Sequence, residues 1–172
     1  METAKAVRIG RALAEADFAI IGTSNGFNMA EGLNLFCADA HFWETYGDLA
    51  QTDGVGSGMS SAAGFNHYDR AGMARDDTFL QGAAWRESLG RYERFVRERG
   101  YGCVLLLELG VGEMTPGIIT LPFWSMTAKL PDAHLLSVNI SGGSAPLQLG
   151  SKAEAIQADL GALLSAARAG DE

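Results

Sequence analysis

Two short runs made wholly of apolar residues, each running into glycine, constrain this chain more than any other feature. Phe18-Ala19-Ile20-Ile21 stops at Gly22, and Cys103-Val104-Leu105-Leu106-Leu107 leads into a turn holding Gly110 and Gly112. A strand covered on one face alternates apolar and polar residues, whereas an apolar run without alternation fits a strand covered on both faces. Leu135-Leu136-Ser137-Val138, ending near Asn139, is a third run of this kind, and Leu147-Gln148-Leu149 is a candidate fourth strand.

Helical patterns flank these runs. Residues 3–16 predict a helix capped by Thr3, with Ala6, Ile9, Leu13 and Ala16 on one face. Asn28 and Glu31 have the spacing of a capping box that opens a short helix. Trp85, Leu89, Tyr92, Val96 and Arg99 mark one face of a helix that stops at Gly100, with Glu87–Arg91 and Glu93–Arg97 as helix-spaced ion pairs on its wet side. Pro122 opens a helix through Lys129. Ser151 and Glu154 predict the cap of a last helix whose Ile156, Leu160, Leu163, Leu164 and Ala167 face inward. This alternation predicts an α/β fold, a Rossmann-like parallel sheet of about four strands flanked by helices, in one domain over residues 1–172. Between Gly47 and Ala84 seven glycines fall among serines and alanines, and the reading there is a poorly structured connection over 47–84.

With 172 residues, 47% of them apolar, the chain can bury a substantial core. Its net charge of −8, without a Lys/Arg cluster, argues against nucleic acid and against an anionic membrane surface as partners. No apolar run reaches the length of a membrane span, and Met1-Glu2-Thr3 does not open a signal peptide, so the expectation is a cytoplasmic protein. Cys37 and Cys103 lie far apart with no C-x-x-C motif, so no zinc is expected, and both read as small buried hydrophobes of a reduced compartment.

Parallel sheets take ligands outside the carboxyl ends of their strands, and both glycine-rich breaks fall there. A phosphate needs close backbone approach and free N–H donors, which glycines and a helix start supply. Gly22-Thr23-Ser24-Asn25-Gly26 before a helix meets that description, although Ser24 interrupts the dinucleotide pattern G-x-G-x-x-G. The plainer reading is a tight strand–helix turn. Glu108-Leu109-Gly110-Val111-Gly112-Glu113-Met114-Thr115-Pro116 is the more distinctive string, and its plainer reading is a loop whose glycines permit a turn. Glu108, directly after an apolar strand, is expected to be partly buried, paired or raised in pKa, and to shape the loop through backbone N–H groups. His67, in Asn66-His67-Tyr68-Asp69, reads as a solvated loop histidine, and His41 and His134 as surface or strand-start residues. Asp17, Asp39, Asp48, Asp76 and Asp77 read as solvated or capping. Phe123 and Trp124 either pack the helix after the second loop or wall a pocket.

Ala16 to Asp48, with Gly22-Thr23-Ser24-Asn25-Gly26 and Gly32-Leu33-Asn34-Leu35-Phe36, resembles the opening loop of the sirtuins, closest to their macrodomain-associated branch. Leu107 to Thr127, with Glu108-Leu109-Gly110-Val111-Gly112, Thr115-Pro116-Gly117-Ile118-Ile119 and Pro122-Phe123-Trp124, resembles that branch's later NAD-binding stretch, and Val138-Asn139 resembles the strand end beside the adenosine ribose. The resemblance implies NAD as cofactor and either protein deacylation or ADP-ribosyl transfer to an acceptor protein. It implies Gly22, Ser24, Asn25, Gly26 and Gly32 in the first loop, Gly110, Gly112 and Thr115 in the second, and Asn139 at the ribose as cofactor-binding residues. Ser24 stands where the family has glycine and Asn28 where it has serine. The asparagine–aspartate strand, the catalytic-position residue and the four-cysteine zinc module of a sirtuin have no counterpart, so the chain reads as a sirtuin with its middle removed. Three functions remain open: a sirtuin-type transferase, a module that binds NAD or ADP-ribose without turnover, and a degenerate remnant or internally deleted gene product with little function, whose truncated sheet would either form an oligomer or expose an aggregation-prone edge.

Overall fold

A computed structural model describes residues 2–30, 32, 40–53, 83–99, 101–113 and 116–169. The chain divides into two compact units, Met1–Glu31 with Phe95–Glu172, and Gly32–Arg94.

The first unit is built on a four-stranded sheet: β1 (Phe18–Thr23), β2 (Val104–Leu109), β3 (Ala133–Asn139) and β4 (Ala153–Gln157), in the spatial order β1-β2-β3-β4. All three pairings are parallel, with Gly22 opposite Glu108, Glu108 opposite Ser137, and Ser137 opposite Ala155. The fold is therefore the Rossmann-like α/β sheet that the unalternating apolar runs predict.

Both faces of β2 and β3 are covered, whereas β1 is covered only in part, with Ile21 53% exposed against the expectation for its apolar run. On one face, Leu105, Leu107, Leu136, Val138 and Ile156 pack against Ile9 and Ala12 of helix α1 (Glu2–Glu15) and against Leu160 and Leu163 of helix α6 (Leu160–Ala169). On the other, Val104, Leu106 and Leu135 pack under Phe123 of helix α5 (Thr120–Lys129). Phe95, in the last turns of helix α4 (Ala83–Arg99), meets Phe18 edge to face at 6.2 Å, and Arg99 lies over the same ring. Strands that follow one another in a single direction have right-handed crossovers on a single face. Here α5 and a short 3₁₀ turn (Leu147–Lys152) take that face, leaving the other to the first and last helices. Leu106, Leu135 and Leu136 are fully buried, each contributing roughly 1.5–3 kcal/mol relative to an exposed side chain.

Several expectations are corrected. Thr3 lies inside α1, not at its cap, and the buried stripe runs through Ile9 and Ala12, leaving Leu13 39% exposed. Helix α2 spans Asn25–Ala30, so Asn28 is an interior residue and not the first half of a capping box; Glu31 lies outside the described residues. Leu147-Gln148-Leu149 belongs to the 3₁₀ turn, and the fourth strand is Ala153–Gln157. Ser151 and Glu154 therefore cap no helix. Asp159 does, its Oδ1 accepting the Ala162 N–H at 3.0 Å. Glu154, on the edge strand, instead pairs with Arg8 of α1 at 2.5 Å. Cys103 is not buried but an exposed free thiol; Cys37 lies outside the described residues.

In the second unit, helix α3 (Ala40–Asp53) buries Phe42 and sets its ring edge to face with Trp43 at 5.4 Å. Helix occupies both ends of the 47–84 connection, through α3 to Asp53 and from Ala83 in α4. Its residues 54–82, among them His67, Asp76 and Asp77, lie outside the described residues, as does Asp39. Glu87 and Arg91 form the predicted exposed pair at 3.2 Å. Among the described residues no helix is long and apolar enough to cross a membrane.

Candidate functional site

Four segments leave the carboxyl ends of the strands on the side of α1 and α6. Ser24 follows β1 and leads into α2, with its carbonyl accepting the Phe27 N–H at 2.9 Å. Gly110 follows β2, Asn139 ends β3, and Ala158-Asp159 joins β4 to α6. They converge on a cleft of about 360 Å³ lined by Gly26, Met29, Ala30, Gly110, Asn139, Ile140, Ala158, Asp159, Leu160 and Gly161. Met29 and Ile140 present exposed apolar surface, and Asn139 and Asp159 supply the polar side chains. A mostly apolar concavity with a few convergent polar groups is the usual form of a small-molecule site.

The two glycine turns meet at this cleft, backbone against backbone. A Cβ on Gly26 would lie 2.6 Å from the Gly110 carbonyl oxygen, and a Cβ on Gly110 2.6 Å from the Phe27 nitrogen. Gly110 also has φ of +65°, a left-handed conformation that favours glycine. Asn139 holds the second turn in place: its Nδ2 donates to the Val111 carbonyl at 2.8 Å, while its Oδ1 accepts from Ser141. Its own carbonyl accepts the Ala158 N–H at 3.0 Å, tying β3 to the segment that carries Asp159.

Of the residues expected to bind a cofactor, Gly26, Gly110 and Asn139 are thus brought together. Gly22 lies elsewhere, under α5, where a Cβ would fall 2.5 Å from Ile119 Cγ2; helix–sheet packing accounts for it. Ser24 and Asn25 are half-buried at the start of α2 and do not line the cleft. Gly112 is exposed, with open space where a Cβ would sit. Gly32 belongs to the second unit, and Thr115 lies outside the described residues. Asp159, Gly161 and Ile140 line the cleft without having been expected to. Asp159 was legible as an acidic residue one position before the apolar period of Leu160, Leu163 and Leu164, a signal obscured by starting the last helix at Ser151.

Glu108 does not face the cleft. It is 1% exposed on the opposite face of the sheet, where its Oε2 accepts the Ser137 hydroxyl at 2.7 Å and its Oε1 has no partner. Burial raises its pKa, and the hydrogen bond from Ser137 pulls the other way. The expected bonds to loop backbone are replaced by a relay: Ser137 Oγ in turn accepts the Ser144 N–H at 3.0 Å, fastening the segment after Ile140. Phe123 is buried in the core on that face, and Trp124 packs against it.

His134 sits half-buried at the start of β3, as expected, 4.0 Å from Glu154. Burial first, and Arg8 second, lower its pKa, against the pull of Glu154. Among the described residues no cluster of three or more His, Cys, Asp or Glu side chains could hold a metal.

No protein-family model matches the chain, and no curated protein matches it. The fold and the cleft carry the functional argument.

Proposed function

We propose that this chain is a binding module that holds NAD or ADP-ribose by its adenosine end, without turning it over. The observation that carries the reading is the convergence of Gly26, Gly110 and Asn139, from three strand ends, on one cleft. These are positions where the sequence resembles the NAD-binding loops of sirtuins. The cleft volume of about 360 Å³ falls within the usual range of ligand pockets and suits a nucleoside better than a whole dinucleotide. Met29 and Ile140 offer the apolar surface a base packs on. Gly112, bare and exposed beside the second turn, leaves backbone open to a phosphate. Asp159 is the one ionisable side chain among the described lining residues, and no lysine, histidine or cysteine accompanies it, which favours binding over the transferase chemistry that the resemblance implies.

Calorimetric titration with NAD and with ADP-ribose tests this directly. The expected result is saturable heat with both, no nicotinamide released from NAD, and a stability gain of about 2.7 kcal/mol at a hundredfold ligand excess over Kd. Absence of heat and of any thermal shift up to millimolar ligand would overturn binding. Release of nicotinamide would replace the module with a sirtuin-type transferase acting on an acyl-lysine or a protein acceptor.

A further inference from the structure

We infer that Asp159 selects the kind of ribose this cleft accepts: one with both hydroxyls free, as in NAD, and not one carrying an extra phosphate, as in NADP. The inference rests on the nucleotide reading above and adds a specificity-determining residue to it.

Asp159 follows β4 at the carboxyl end of the sheet, and its carboxylate is held in position by capping α6 through Oδ1 and the Ala162 N–H. Among the described residues Oδ2 has no hydrogen-bond partner, so one oxygen remains to accept from a ligand. An ionised carboxylate accepts and never donates, and the two lone pairs of Oδ2 are enough for a pair of neighbouring hydroxyls. An acidic side chain beyond a strand end is the common acceptor for ribose hydroxyls in parallel-sheet nucleotide sites. Gly161 keeps the adjoining space clear: a Cβ there would lie 3.3 Å from Asp159 Oδ1 and 3.3 Å from the Ala30 carbonyl oxygen.

The same carboxylate works against a phosphate. The positive end of α6 would otherwise attract one, but Asp159 already satisfies it with a negative charge. No lysine or arginine among the described lining residues offsets the like-charge contact that a phosphorylated ribose would make.

The test is a titration of NAD and NADP into the wild-type chain and into Asp159→Asn, which keeps an oxygen able to cap α6. Wild type is expected to prefer NAD by roughly tenfold or more, the scale of one unfavourable charge contact. In the Asn variant the preference should shrink to about threefold or less, mainly through tighter NADP binding. Equal affinity for the two ligands in wild type overturns the inference and leaves the nucleotide reading standing, as does an undiminished preference in the variant. Binding of neither ligand to wild type overturns both.

Discussion

Gly26 and Gly110 lie in backbone contact across the gap between the first two strand ends, so close that neither position has room for a Cβ. The contact explains two glycines in different loops with one cause. Each turn is shaped by the other, and the cleft edge exists only where the two meet.

Gly110→Ala should therefore be severely destabilising, by about 2–4 kcal/mol, because the added methyl meets backbone at 2.6 Å and the residue is left-handed. Gly112→Ala, with open space around it, should change stability by about 0.5 kcal/mol or less. Urea unfolding of the two variants in parallel checks the contrast. Equal stabilities would mean that the loops do not touch.

Asn139→Ala removes the amide that bonds the Val111 carbonyl, and a loss of about 1–2 kcal/mol is expected. The effect should be local as well. Amide hydrogen exchange at Val111 and Gly112 should accelerate more than exchange in the leucines of β2. A uniform acceleration would assign Asn139 a general stabilising role and no particular hold on the turn.

Glu108 should make the fold less stable as pH rises. Burial lifts its folded pKa above the ordinary value of 4.5, so the folded chain keeps this proton where the unfolded chain has lost it. Stability from this group is complete below about pH 4.5 and drains away as pH climbs through the raised folded value. Glu108→Gln, which cannot ionise, should flatten that part of the profile. Denaturation midpoints measured from pH 4 to pH 8 should show the two chains diverging upward, with the variant ahead at the alkaline end.

Cys103 should react with a maleimide in the folded protein at close to the rate of a free thiol, because it is exposed before β2 begins. Peptide mapping after brief labelling under native conditions identifies the site. Protection of Cys103 until denaturant is added would restore the reading of a buried cysteine.

How far the sequence alone reaches depends on which physical rule each element obeys. The central strands β2 and β3 were legible because burial on both faces demands apolar side chains at every position, and Leu105-Leu106-Leu107 and Leu135-Leu136 display that demand openly. The convergence of Gly26, Gly110 and Asn139 was anticipated only in part. Their positions at strand ends could be read, but not that the two turns would touch or that Asn139 would fasten one of them.

Edges and helix starts were decided by tertiary structure. Ala153-Glu154-Ala155-Ile156-Gln157 has little strand character of its own, with one strongly apolar residue. It becomes β4 because the outer edge of β3 offers a row of unpaired backbone groups and Ile156 lands opposite Val138 in the core. That pairing moves the start of the last helix to Leu160 and places Asp159 at the cleft. The sequence by itself determined a parallel sheet, doubly covered at its central strands, with glycine turns at its carboxyl ends, since burial selects residue types position by position. Only the tertiary structure decided which turn residues share a cleft, because close backbone approach and strand pairing depend on partners distant in the chain.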